Sequence, residues 1–223
     1  MILKCPGFDR ELTWNEDSHA HELIIENPKY FRDLVKDFYF HNDDDSGISL
    51  TETGKPLKFS DEVDVIINPI KLDFGNRKAS TNLLKILVQA SLSEDFYLET
   101  NELKTKIVRF LDNLIDSENF RFEVEAGDFN LDQIAKAVNF HVVDDEDDFV
   151  ELLTNYLEMM RELAKTKLFV FIALRSFLSD EELLRFTKNI ADREINILLI
   201  EDQTRPKIEP ISRMTIDADL CDF

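Results

Sequence analysis

Residues 167–202, KLFVFIALRSFLSDEELLRFTKNIADREINILLIED, carry the pattern that decides the fold. KLFVFIAL is almost wholly apolar and shows no polar–apolar alternation, so as a strand it must be covered on both faces. In SDEELLRFTKNIAD, Ser179 is followed three residues later by Glu182, the capping box that opens a helix. INILLIED is a second apolar run of strand length. Buried strand, helix, buried strand in this order is a βαβ crossover, which places the chain in the α/β class with a parallel or mixed sheet.

Working outward, HELIIENPKYFRDLVKDFYFH gives a strand at Leu23–Ile25 and then a helix capped by Asn27, with Pro28 at its first position. GISLTETGKPLKFS alternates around Gly54-Lys55-Pro56 and reads as a hairpin, and VDVIINP (63–69) is a strand stopped by Pro69. The middle is helical. RKASTNLLKILVQASLS is one amphipathic helix, and NELKTKIVRFLDNLID is a second with Leu103, Ile107, Leu111 and Leu114 at core spacing. FRFEVEAGDF reads as a short strand pair around Gly127, and LDQIAKAV as a short helix. DDEDDFVELLTNYLEMMRELAK reads as a long helix whose acidic start suits the positive end of its dipole. The expected arrangement is an α/β head built from both ends of the chain (1–70 and 151–223), with a helical leg (71–150) inserted.

The chain has 223 residues, 43% of them hydrophobic with 18 Phe, so it can bury a sizeable core. Five glycines and six prolines argue against a many-turned β-sandwich. The formal charge of −20 sets the whole-chain field against nucleic acid and anionic membranes. Cys5 and Cys221 lack metal-type spacing and read as reduced thiols. MILKCPGFDR has no secretion-signal pattern, and no run approaches the ~18 apolar residues of a membrane span. These features lead us to expect a cytoplasmic protein with no membrane association.

Enzymatic chemistry finds little footing. A phosphate-cradling loop needs glycines and a lysine, yet RSFLSDEE after Leu174 has no glycine. LLIED (198–202) has the letters of a magnesium-holding strand end, but any buried strand ending in an acid does. No G-x-S-x-G elbow is present, and neither cysteine has a histidine near it in sequence. His19 and His21 share a strand face without a third metal ligand, and read as a solvated strand end. Asp95, Glu102 and Lys104 have the residue types of a nuclease, but the last two fall on a helix in a chain with 46 acids. HNDDDSGISLTETG (41–54) places oxygen-bearing side chains at positions 1, 3 and 5 of a calcium loop that begins at Asn42. Position 12 is Thr53 in place of a bidentate acid, so the stretch reads as a solvated acidic turn.

Two features depart from the background. No acid lies between Asp73 and Glu94, a gap with a chance of about 0.01 at this acid frequency. Arg77, Lys78 and Lys85 fall inside it, and Lys78, Asn82, Lys85 and Gln89 form one helical stripe at i, i+4, i+7, i+11. Such a stripe serves as a subunit interface, a phosphate-contacting face or an ordinary solvated surface. Lys71 upstream and Lys104, Lys106 and Arg109 on the next helix extend the basic set. The second feature is FRFEVEAGD, where Glu123 and Glu125 share a strand face and the Gly127 turn brings Asp128 alongside. Three close carboxylates repel one another unless solvated or bridged by a hard cation.

LVKDFYFHNDDDSGISL (34–50), VDVIINP, AKAVNFHVVDD (135–145) and above all KTKLFVFIALRSFLSDEELLRFTKNIADREINILLIED (165–202) resemble, in order and texture, the CRISPR-associated adaptation protein of type II-A systems. The resemblance implies an ATPase-like α/β head lacking its phosphate-binding loop, with an inserted helical leg. It implies a homotetramer, a ring whose basic central channel takes double-stranded DNA ends, and no enzymatic activity. It also implies calcium as a structural cofactor, and work in spacer acquisition alongside the CRISPR integrase complex and the RNA-guided effector nuclease. On this reading Lys71, Arg77, Lys78 and Lys85 line the channel, with Lys104, Lys106 and Arg109 extending it, and Glu123, Glu125 and Asp128 hold calcium. The alternatives are a cation-dependent α/β nuclease or ATPase, and a protein-binding scaffold that uses the stripe as a subunit contact.

Overall fold

The structure is a computed structural model, and it describes residues 1–5, 10–41, 47–116, 131–137, 142 and 145–221. It divides into two compact units, one of residues 1–74 with 143–223 and the other of residues 75–142.

The first unit is built on five parallel strands. They are β3 (Ala20–Ile25), β6 (Val63–Ile66), β7 (Leu168–Ile172), β8 (Ile197–Glu201) and β9 (Ser212–Ile216), in the order β6-β7-β8-β3-β9. Every residue of β3, β7 and β8 is buried, the pattern of strands covered on both faces. Alternate residues divide between the faces. Leu23, Ile25, Leu168, Val170, Ile172, Leu198, Ile200, Met214 and Ile216 join one core with Leu34 and Phe38 of α1 (Pro28–Tyr39). That core takes in Leu3 and Leu12 from β1 (Ile2–Lys4) and β2 (Leu12–Thr13), and Leu50 from β4 (Ser49–Glu52). Those strands and β5 (Lys55–Pro56) form a small antiparallel sheet ordered β2-β1-β4-β5, and the short helix α2 (Phe59–Glu62) leads from it to β6. Trp14 ties the layers together, its indole N–H donating to the Ile197 carbonyl at 3.0 Å in the buried interior.

The other face is covered by α6 (Phe149–Met159) and α7 (Asp180–Asp192), and Phe171 of β7 meets Phe186 of α7 edge-on at 5.8 Å. The α7 start has the expected capping box, with Ser179 and Glu182 satisfying each other's backbone N–H groups. The strand–helix–strand reading of residues 167–202 is thus realised as β7-α7-β8, in parallel register.

The second unit contains α3 (Arg77–Ser91), α4 (Tyr97–Asp116) and α5 (Leu131–Ala137). Asn76 caps α3, its side-chain oxygen accepting from the backbone N–H groups of Lys78 and Ala79.

Several local readings are corrected. The hairpin turns at Thr53-Gly54, both at positive φ (50° and 77°), rather than around Gly-Lys-Pro. Lys55 and Pro56 belong to β5, at the sheet edge, where a missing N–H is tolerated. The α6 helix starts at Phe149 with Asp148 as its cap, so Asp145, Glu146 and Asp147 precede it and only Glu151 lies in its first turn. Helix α4 has no buried residue, and its supposed core row is open, with Leu103, Leu111 and Leu114 at 41%, 42% and 47% exposure. The periodicity was helical, but periodicity does not say what a face will be covered by. The FRFEVEAGDF strand pair lies outside the described residues.

Phe186 is fully buried, and truncation leaves a cavity against Phe171. The Phe186→Ala variant is expected to lose about 3–5 kcal/mol of stability, read from the shift in a urea unfolding midpoint.

Candidate functional site

Open parallel sheets bind ligands at the carboxyl ends of their strands. Here the connections after β3 and β7 lack the glycine-rich loop that cradles a phosphate. Between β3 and α1 stand only Glu26 and Asn27, and Asn27 spends its side chain capping α1 through the N–H groups of Lys29 and Tyr30. A single turn of 3-10 helix (Leu174–Ser176) follows β7, and none of the five glycines lies in either connection.

An internal ion network sits on the α6–α7 face and runs to this edge. Glu22, in the middle of β3, is 1% exposed. Its Oε1 accepts from Arg175 Nη1 at 2.9 Å and its Oε2 from Arg213 Nε at 2.7 Å. Arg175, itself 2% exposed, also donates from Nη2 to Asp180 Oδ1 at 2.8 Å, and its backbone N–H reaches Glu201 Oε1 at 3.0 Å. Arg213 donates to the carbonyls of Arg205 (2.8 Å) and Pro206 (3.2 Å), drawing the β8–β9 loop over this end of the sheet. Arg205 bonds the Arg175 carbonyl and, at 3.4 Å, Ser176 Oγ. Burial pushes the Glu201 carboxyl up to about 7, against the hydrogen bond from Arg175 N–H, with the charge of Glu22 adding to the rise. Glu201 is the first of the two acids of LLIED, and its Oε1 accepts from a backbone N–H. One sign of this network is local, the single acid Glu22 inside the wholly buried strand β3. Nothing in the sequence named Arg175 or Arg213 as partners across 153 and 191 positions.

His21 is buried rather than solvated, packed edge-on against Trp14 with ring centroids 4.6 Å apart. Its Nε2 lies 3.0 Å from the Thr13 carbonyl and 3.3 Å from Ser18 Oγ. A carbonyl only accepts, so Nε2 carries the proton and is no base for Ser18, and burial lowers the ring's pKa. His19 is separately engaged, Nδ1 to Asn196 Oδ1 at 3.0 Å. Among the described residues no three His, Cys, Asp or Glu side chains gather as a metal site, and Glu123, Glu125 and Asp128 lie outside them. So does the inner calcium-like loop, residues 42–46.

The basic candidates fall on both units. Lys71 is exposed in the first. Arg77, Lys78 and Lys85 are exposed on α3, and Lys85 Nζ donates to Asn82 Oδ1 at 3.2 Å, which places two members of the stripe side by side. Arg77 and Lys85 have no ion pair among the described residues. On α4 the bases are diluted: Lys106 sits 3.9 Å from Glu102, and Asp112 follows Arg109 by three residues. Lys104 is two and five residues from Lys106 and Arg109, a spacing that turns it to a different side of the helix. The apolar row of α4 opens beside a groove of about 550 Å³ lined by Leu84, Leu87, Phe96, Leu103, Leu131 and Ile134. No helix among the described residues is long and apolar enough to cross a membrane.

Fold and site together define an α/β protein whose parallel sheet carries an internal arginine–carboxylate network and whose inserted helices carry a cationic stripe. Residues 40–220 match the family described as CRISPR-associated protein (Cas_Csn2), and the chain belongs to that family. It is thereby a CRISPR-associated protein of type II-A systems, linked to adaptation.

The raised Glu201 pKa has a definite sign. Between its unfolded value of 4.5 and about 7, the unfolded chain ionises first, so the stability this group contributes at low pH is lost as pH rises. Gln at position 201 keeps an oxygen for Arg175 N–H and removes this dependence. Relative to the wild type, Glu201→Gln should gain up to about 3 kcal/mol between pH 4 and pH 8 in urea unfolding.

Proposed function

We propose that the chain binds double-stranded DNA ends as a ring of four copies, with α3 facing the central channel, and supports spacer acquisition without catalysing a reaction. The carrying observation is the α3 stripe, where Arg77, Lys78 and Lys85 are exposed in a twenty-residue stretch that contains no acid, on a chain of charge −20. Four copies carry −80, so phosphates are held only where a local lining outweighs the global field. Acids more than ~8 Å away are largely screened at physiological salt. A closed ring also retains DNA topologically, so a few sequence-independent phosphate contacts suffice. Lys71, Arg77, Lys78 and Lys85 are the assigned lining. Lys104, Lys106 and Arg109 contribute less, because acids share their helix. The open apolar row of α4 supports a subunit contact. In this reading calcium at Glu123, Glu125 and Asp128 relieves carboxylate repulsion, and the integrase complex and the RNA-guided effector nuclease are the cytoplasmic partners.

Linear duplex should bind and a covalently closed circle of the same sequence should not; equal binding to both topologies overturns threading. Lys78→Glu/Lys85→Glu is expected to lose DNA in an electrophoretic shift at unchanged oligomeric mass. Ile107→Asp/Leu111→Asp alters no buried side chain, so the chain should still fold. Light scattering with calcium should then show its mass falling from four times 26.1 kDa toward a single copy.

A further inference from the structure

The arginine network around Glu22 plays no part in the proposed DNA contacts, and its geometry is that of a filled binding site. Each carboxylate oxygen of Glu22 takes its own guanidinium, Oε1 from Arg175 and Oε2 from Arg213. The three side chains are 1%, 1% and 14% exposed, so the contacts are shielded from water. Both guanidiniums are also held independently of Glu22. Asp180 fixes Arg175 at 2.8 Å, and the Arg205 and Pro206 carbonyls fix Arg213 at 2.8 and 3.2 Å. Their segments, the turn after β7 and strand β9, differ from that of the carboxylate they share.

We propose that Arg175 and Arg213 form an oxyanion site against the middle of β3, that the Glu22 side chain occupies it as a resident ligand, and that a small carboxylate anion binds there once that side chain is cut back. The size of the ligand follows from the chemistry. Glu22→Ala removes CH₂–COO⁻, the dimensions of acetate, from between two fixed donors. A tetrahedral phosphate is larger than the space vacated, so the site is selective for a planar carboxylate that accepts one guanidinium on each oxygen. The driving force is local. With Glu22 gone, Arg175 loses its buried ion pair and keeps the exposed Asp180 and the more distant charge of Glu201, and a buried guanidinium short of compensation is unfavourable. Because the donors are already in place, little ordering opposes the anion's entry.

The experiment is thermal unfolding of the full chain with sodium acetate against sodium chloride at equal ionic strength. Glu22→Ala should have a lowered midpoint that acetate raises saturably, the folding constant increasing about elevenfold at ten times the dissociation constant. Chloride should not do so. Wild type and Glu22→Gln, whose sites remain filled, should respond equally to the two salts, as should Glu22→Ala/Arg175→Met, which lacks a donor. Equal effects of acetate and chloride on Glu22→Ala, or none from either, overturn the proposal. If Glu22→Ala does not fold in chloride, recovery of soluble folded protein on refolding in acetate supports it, and failure in both salts overturns it.

Discussion

A parallel sheet must be covered on both faces, and most of this molecule can be understood as the means of doing so. One face is covered by α1 and the small antiparallel sheet, meeting alternate residues of four parallel strands in one apolar core. The other lies under α6 and α7, where Phe171 meets Phe186. Beside them, charged side chains complete the cover. Glu22 occupies a position of β3 that the alternation assigns to the buried face, and a carboxylate there is sustainable only with both oxygens paired. Arg175 and Arg213 supply those pairs and fasten the turn after β7 and the β8–β9 loop to the same point.

The network also reaches the carboxyl ends of the strands, where sheets of this kind receive nucleotides, through Glu201 and the turn after β7. The turn after β3 is too short to surround a phosphate, and the nearby guanidiniums are spent on internal carboxylates and carbonyls. In the α/β unit many cations are likewise engaged: Lys167 with Glu52 and Glu62, Arg185 with Asp148, and Arg193 with Glu158. On α3 the balance differs, since the twenty residues between Asp73 and Glu94 contain no acid to pair with. The charge pattern therefore separates an acid-rich scaffold from a helix whose own sequence carries bases and no acid.

Helix α4 makes the complementary point about apolar surface. Leu103, Leu111 and Leu114 follow a regular helical spacing and are all exposed. Spacing of this kind marks a helix, but it does not say which contacts will cover the apolar face.

Much of this was legible from local signals. The apolar runs at 167–174 and 195–202, the capping box at Ser179–Glu182 and the Asn27-Pro28 start each rest on interactions spanning a few residues, so sequence alone determined the α/β class, the βαβ unit and the helical middle. The acid-free stretch was equally plain, because charge is additive along the chain. Other features depended on which distant segments meet. His21 reads as a surface histidine until Trp14 and Thr13 close over it. Glu201 reads as a strand-end acid until burial and Arg175 N–H fix its role. Glu22, Arg175 and Arg213 lie on three segments far apart in the chain. Their convergence is set by strand order and register, which no local pattern encodes, and only the folded sheet brings the three charges together.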